Sequence, residues 1–363
     1  MTLRDSLLVA ADYVLTLVWL KATLLILAFA LLRLLAGRRS AATRSVLWTL
    51  AAAGLLVVPL LQHLLPPAGL ALVGFPAFLF QLSPLDLARW AGAPAPLPPG
   101  GSLGRLAGIP LAAWVGALWI AGAVLLLGRF AWQVLIVRAV ARAAEPARDT
   151  ALQARLHACR TDLGLTTDVR LAWSGAVWSP VTFGWRRPVI LLPREARGWP
   201  DAWLSASLSH EVAHIRRGDY LVLVLTGILR ALYWPNPLVW KLMSIARVEL
   251  ERACDDAVLR AGVSQDQYAR HLLDLAAQQR AAPASGALPM VRRSGFRVRM
   301  RAILDDAADR APASRLVLVG AGALWFVLVS GLGAGGFWYC TAQSGAAPAA
   351  PAVVASGASN AGP

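Results

Sequence analysis

His210 and His214 stand four residues apart in Ser209-His210-Glu211-Val212-Ala213-His214-Ile215-Arg216-Arg217-Gly218-Asp219. A helix turns about 100° per residue, so the two imidazoles project from one face. There they can take adjacent corners of a zinc tetrahedron, with Glu211 beside them near the open corner. A carboxylate so placed can take a proton from a water held at that corner and pass it to a leaving amine. The pattern points to hydrolysis of a peptide bond assisted by one zinc ion per chain. The competing reading is a solvated helix end with two incidental histidines. A third ligand has to come from elsewhere.

The surrounding segments must position these groups. Pro200 and Asp201 open the helix that carries the motif, and Gly218 is suited to end it. Tyr220 to Leu229 is apolar but short, with Pro235 and Pro237 close behind, so a core or membrane-grazing helix is expected rather than a span. Asn236-Pro237 starts a further helix that reaches about Ala261, with Gly262 as its stop. Its Leu250, Cys254 and Val258 make an apolar stripe, so the acids beside them border the core. Glu251 and Asp255 share a face. One can bind a metal while the other holds the far N–H of a ligand imidazole. An ordinary helix whose acids pair with Arg247 and Arg252 fits equally, and spacing does not choose among Glu249, Glu251, Asp255 and Asp256.

Upstream of the motif, Ala151 to Leu165 reads as a helix closed by Gly164. Val169 to Trp173 alternates like a strand, and Pro188 to Pro193 is a short apolar strand. Between them Pro180, Val181, Thr182 and Phe183 form a candidate edge that could bind a peptide substrate by strand addition. A plain hairpin is equally compatible.

Hydrophobic residues make up 57% of the chain and charged residues 15%, the balance of a membrane protein. The formal charge of +15 could suggest nucleic acid. However, the arginines flank apolar runs and do not interleave with stacking aromatics, so no direct nucleic-acid contact is expected. The three cysteines, Cys159, Cys254 and Cys340, form no disulfide framework and no metal spacing. Spans are expected at about 7–35, 45–65, 107–127 and 316–339. Residues 66–105 form a Pro-rich outside loop, 138–309 a catalytic domain, and 340–363 a disordered outside tail. The membrane region thus covers residues 1–137. Basic flanks place the catalytic domain in the cytoplasm and both termini outside, in a multi-pass protein of a bacterial inner membrane. Lys21 falls within the first span and should face other spans or a water-filled cavity, unless it snorkels.

Ser179-Pro180 through Gly184, Pro188 to Pro193, His210 to Asp219, Asn236 to Trp240 and Glu251-Arg252-Ala253-Cys254-Asp255 occur in one order and spacing. Together they resemble the BlaR/MecR antirepressor family of membrane zinc metallopeptidases, signal transducers of β-lactam resistance, over roughly residues 1–340. The resemblance implies an α+β membrane protein: four transmembrane helices plus a mainly helical, zincin-like cytoplasmic domain with a small β-sheet. It implies zinc held by His210, His214 and Glu251, with Glu211 as general base and Asp255 orienting a ligand imidazole. Asp219 matches a family acid just after the motif helix. The implied partner is a protein substrate, a winged-helix repressor or the chain itself, and a homo-oligomer is compatible.

Arg293, Ser294, Gly295 and Phe296 resemble the segment where sensors of this family cut themselves, although a basic stripe on the inner membrane surface is the preferred reading of 291–299. Penicillin-sensing members carry a large sensor after the fourth span. The short tail here leads us to carry over the protease and not the penicillin receptor. The alternatives are a quality-control protease of membrane proteins and a non-catalytic transducer that binds a repressor.

Overall fold

The computed structural model describes residues 19–36, 39–64, 111–281 and 295–334. The Pro-rich loop, the tail and the first part of the expected first span lie outside the described residues. So do Arg293 and Ser294. In chain order the helices and strands are α1 (Ala22–Leu35), α2 (Ala41–Leu64), α3 (Leu111–Ala143), β1 (Glu145–Pro146), α4 (Thr150–Asp162), β2 (Arg170–Ser174), β3 (Val181–Phe183) and β4 (Val189–Pro193). These are followed by α5 (Asp201–Arg217), α6 (Asp219–Leu232), α7 (Pro237–Arg260), α8 (Gln265–Ala281), α9 (Phe296–Ile303) and α10 (Arg315–Ala334).

Among the described residues, the helical stretches Ala41–Leu61, Trp114–Ala143 and Arg315–Gly333 are long and apolar enough to cross a membrane. Helix α3 does not stop near residue 127. No glycine or proline interrupts Arg129 to Ala143, so one rod continues from its apolar half into the domain. The expected boundary at 137 and 138 falls inside that rod. Lys21, at the foot of α1, is only 4% exposed.

Between α6 and α7 the chain reverses among the apolar helices. Leu229, Tyr233, Val239 and Leu242 pack in one core with α1, α2 and Val329 of α10. Carbonyls buried among these helices need partners from the protein. Trp119 Nε1 donates to the Leu232 carbonyl at 2.8 Å, and Tyr233 Oη donates at 2.6 Å to the carbonyl of Leu55 in α2, which Pro59 leaves without its helical N–H. Close approach needs glycine. A Cβ on Gly227 would lie 2.3 Å from the Phe130 ring, and one on Gly122 2.6 Å from the Trp234 ring. The segment expected as a core or membrane-grazing helix thus packs its end in a core with helices of spanning character.

The sheet has the order β1-β2-β4-β3, with β2 and β4 parallel and the outer pairs antiparallel. Residues of β4 alternate between faces, as a strand covered on both sides must. Ile190 and Leu192 join the core built by α4, α5, α7 and α8, whereas Val189 and Leu191 pack on Val137 and Ala141 of α3. Strand β3 is left at the edge, beside α5.

Candidate metal centre

Helix α5 ends where the sequence requires it: Gly218 adopts φ +70°, in the left-handed region, and its N–H closes on the last turn. Helix α7 is capped by Asn236, whose side chain accepts from the Leu238 N–H at 2.9 Å. Packed together, these two helices bring His210, His214 and Glu251 to one point. His210 Nε2 lies 3.2 Å from His214 Nε2 and 3.6 Å from Glu251 Oε2, and His214 Nε2 lies 4.0 Å from Glu251 Oε1.

The far nitrogens are spoken for. His214 Nδ1 meets Asp219 Oδ2 at 2.8 Å, and His210 Nδ1 meets the Tyr268 hydroxyl at 3.0 Å and Asp255 Oδ1 at 3.3 Å. Tyr268 in turn donates to Asp255 Oδ1 at 2.8 Å. Acceptors at Nδ1 engage a ring proton there, so Nε2 is the nitrogen of each ring that can offer a lone pair to an ion. The two Nε2 atoms stand 3.2 Å apart. Ligand atoms on a tetrahedral zinc stand about 3.3 Å apart, so the donor set fits a divalent ion. A second grouping, His214 Nδ1 with Asp219 and Cys254, does not. Its 2.8 Å imidazole–carboxylate contact is a direct hydrogen bond with no room for an ion. Burial also pushes the Cys254 thiol up to about 11, so it stays protonated.

Arg299 of α9 sits behind the acids. Its Nε and Nη2 donate to Asp255 at 2.8 and 2.6 Å, and its Nη1 lies 2.8 Å from Glu251 Oε2. Burial alone would raise the Glu251 carboxyl, but Arg299 and then the two imidazoles outweigh it and hold Glu251 well below the usual carboxylate range. Against the same burial, Arg299 and His210 keep Asp255 low as well. The expected basic stripe therefore fails at Arg299, which is 1% exposed and turned inward, while Arg297 and Arg301 remain outside. Gly295 packs on Val248 of α7 and Phe296 on the core, so cutting at this end of the candidate segment requires it to lift away.

The other two candidate acids are engaged elsewhere. Glu249 binds Arg44 of α2 at 3.0 Å and Arg252 at 3.4 Å. Asp256 lies 3.9 Å from Arg310. Burial, with Asp255 next to it, pushes the Asp256 carboxyl up to about 6. Because the folded state then holds its proton more tightly than the unfolded chain, Asp256 costs stability as pH rises from about 4 through about 6. Asp256→Asn should therefore raise stability by roughly 1–3 kcal/mol at pH 7 and by nothing below about pH 4. Thermal unfolding of both proteins across that range checks it, and a difference that ignores pH would contradict it.

Thr182, on the free edge of β3, donates to Glu211 Oε2 at 2.8 Å. A cleft of about 450 Å³ runs from this point, past Pro180 and Val181, along α6 and α7 to Phe130 of α3. Phe183 turns instead to Tyr220, ring to ring at 5.2 Å. Sequence reading missed Tyr268 and Arg299. Tyr268 lies in a core stripe with Leu272 and Leu275, and nothing local marks its hydroxyl.

The family model described as BlaR1 peptidase M56 matches residues 108–303. The chain is also similar to the Regulatory protein BlaR1 of Bacillus licheniformis, 32% identical over 144 residues. That alignment takes in 40% of this chain and only 24% of the relative.

Proposed function

The chain belongs to the BlaR1 peptidase M56 family, and from that premise we propose that it is a membrane-embedded zinc metalloendopeptidase acting in signal transduction. The observation that carries the reading is the convergence of His210, His214 and Glu251, the imidazoles backed by hydrogen-bonded partners and Glu251 by its ion pair with Arg299, beside Glu211. Zinc held there would polarise the scissile carbonyl and lower the pKa of a water at the open corner. The protein's own groups do the rest. A peptide laid along the free edge of β3 brings its carbonyl to the cluster, with Pro180, Val181 and Thr182 as the rim and Phe183 turned to Tyr220. Glu211, fixed by Thr182, takes the proton from the attacking water as the C–O bond forms. It returns that proton to the nitrogen as the C–N bond breaks. Asp255 and Asp219 keep the imidazoles aimed.

In this reading the domain of residues 138–309 faces the cytoplasm of a bacterial inner membrane, four spans cross it, and both termini lie outside. The arginine flanks support that orientation. The substrate is a cytosolic winged-helix repressor, the chain's own segment Arg293 to Phe296, or both. Purified protein should carry about one zinc per chain and lose it in Glu251→Gln. Protein free of stoichiometric divalent metal, or metal indifferent to Glu251, sinks the reading. Terminal-peptide proteomics of cells with the active and Glu211→Ala forms then separates the substrates. New ends confined to one repressor or to this chain support a regulator, and ends spread over damaged membrane proteins speak for quality control.

A further inference from the structure

Tyr268, on α8, is 1% exposed and stands three residues before His271, so both side chains leave one face of that helix. Ser207 and His210 have the same spacing on the motif helix α5. The two pairs meet as rungs: Ser207 Oγ lies 2.8 Å from His271 Nε2, and the Tyr268 hydroxyl lies 3.0 Å from His210 Nδ1. The His271 ring also packs on Trp199 and Trp203, with 5.7 and 5.0 Å between ring centroids. The register of α8 on α5 is thereby fixed at the turn that carries the first imidazole. The peptide chemistry proposed for the site makes no use of Tyr268.

Counting protons decides what the hydroxyl does. Asp255 accepts at both oxygens: Oδ2 from Arg299 Nε at 2.8 Å, and Oδ1 from Arg299 Nη2 at 2.6 Å and from Tyr268 at 2.8 Å. A phenol has one proton, and here it goes to Asp255. Its oxygen is left to accept, so the proton between Tyr268 and His210 belongs to His210 Nδ1. The direct approach of His210 Nδ1 to Asp255 Oδ1, at 3.3 Å, is longer than either contact of the hydroxyl and lies outside the usual N–H···O range. Asp255 thus reaches the imidazole through Tyr268. With Nδ1 protonated, Nε2 is the atom that turns towards His214 and Glu251.

We propose that Tyr268 is a positioning residue of the metal centre: its hydroxyl holds the His210 ring by Nδ1, fixes the tautomer that offers Nε2 to the ion, and relays the hold of the Asp255–Arg299 pair. This rests on the zinc reading of the site. It moves the direct grip on His210 from a carboxylate to a neutral hydroxyl on another helix. The metal centre then depends on α8 as well as on α5 and α7.

Tyr268→Phe keeps the ring in its core stripe and removes only the hydroxyl. The full chain in detergent, wild type and Y268F, is stripped of metal and titrated with zinc, and a thermal melt without metal follows its stability. Zinc affinity should fall about 10–100-fold, the usual effect of removing the partner behind a ligand imidazole. Cobalt bound in place of zinc should show shifted visible absorption bands, a change in ligand geometry that looser core packing would not produce. Zinc affinity and cobalt spectrum equal to wild type would show that Asp255 holds His210 unaided, and overturn the proposal. A lower melt with zinc affinity unchanged would reduce Tyr268 to packing, and overturns it too. Wild type that takes up no zinc sinks the metalloprotease reading itself, whereas equal binding by wild type and Y268F sinks only this proposal. If Y268F fails to fold, Ser207→Ala serves. It loosens the rung that seats Tyr268, so zinc affinity should still fall, by less, and unchanged affinity there counts against the proposal.

Discussion

Glu211→Gln is expected to lower peptide hydrolysis roughly 10²–10⁴-fold, the usual contribution of a positioned general base, while zinc content and thermal stability stay near wild type. The separation of these readouts follows from its surroundings. Glu211 is 5% exposed, and its carboxylate takes a hydrogen bond from Thr182 at 2.8 Å. A glutamine carbonyl of the same shape can accept that bond, so no buried donor is orphaned. It cannot accept and return a proton. Hydrolysis of a peptide, or of the chain's own segment in membranes, measures the first effect. Metal analysis and a thermal melt measure the second. Activity within about threefold of wild type would remove Glu211 from the role, and loss of metal along with activity would recast it as structural.

Arg299→Met should unfold or severely weaken the domain, by about 3–5 kcal/mol, the cost of leaving buried charge without its partner. The acids at stake are the ones that matter: Asp255 is 2% exposed, and Glu251 Oε2 is shared between Arg299 and the His210 side. Zinc affinity should fall about 10–100-fold where enough protein folds to measure it, because Asp255 then loses the group that fixes it behind His210. Arg299→Lys keeps the charge but not the fork, and should fall between the two. The pH dependence has a definite sign. Both carboxyls sit below their ordinary values, so the stabilisation by Arg299 is present above about pH 4 and fades as pH falls through the lowered values. The gap between wild type and Arg299→Met should therefore narrow in acid. A variant that melts and binds zinc like wild type would show that something other than this guanidinium holds the acids charged.

What could be read from the chain in advance was whatever is encoded locally. The i, i+4 imidazoles, the Gly218 stop and the Asn236 cap depend on residues within a turn or two of each other, and the structure has helices bounded there. The choice between Glu249 and Glu251 was not local. They are two residues apart on α7 and so point to different sides. Glu249 is drawn to Arg44, a partner 205 positions away. Arg299 was hidden for the same reason. It sits among exposed basic neighbours, and its acidic partner Asp255 lies 44 residues earlier. Helix α6, with 14 residues, is not among the helices long enough to span, and its end packs in a core with α1, α2 and α7. Here carbonyls at the hairpin and on α2 receive bonds from Trp119 and Tyr233. The small sheet was legible as strands, but its crossover order was not.

Arg44 and Ser45 are consecutive residues in the opening turn of α2, yet they grip different parts of the domain. Arg44 holds Glu249 at 3.0 Å, next but one to Glu251. Ser45 accepts from Arg217 at 2.8 Å, which in turn touches the carboxylate behind His214. One end of a membrane helix is thus a common handle for the two scaffolds whose spacing sets the jaw between imidazoles and carboxylate. A tilt or slide of α2 cannot leave that jaw unchanged unless both grips let go. A displacement of that helix end is thus separated from His214 and from the turn that bears Glu251 by only a few bonds.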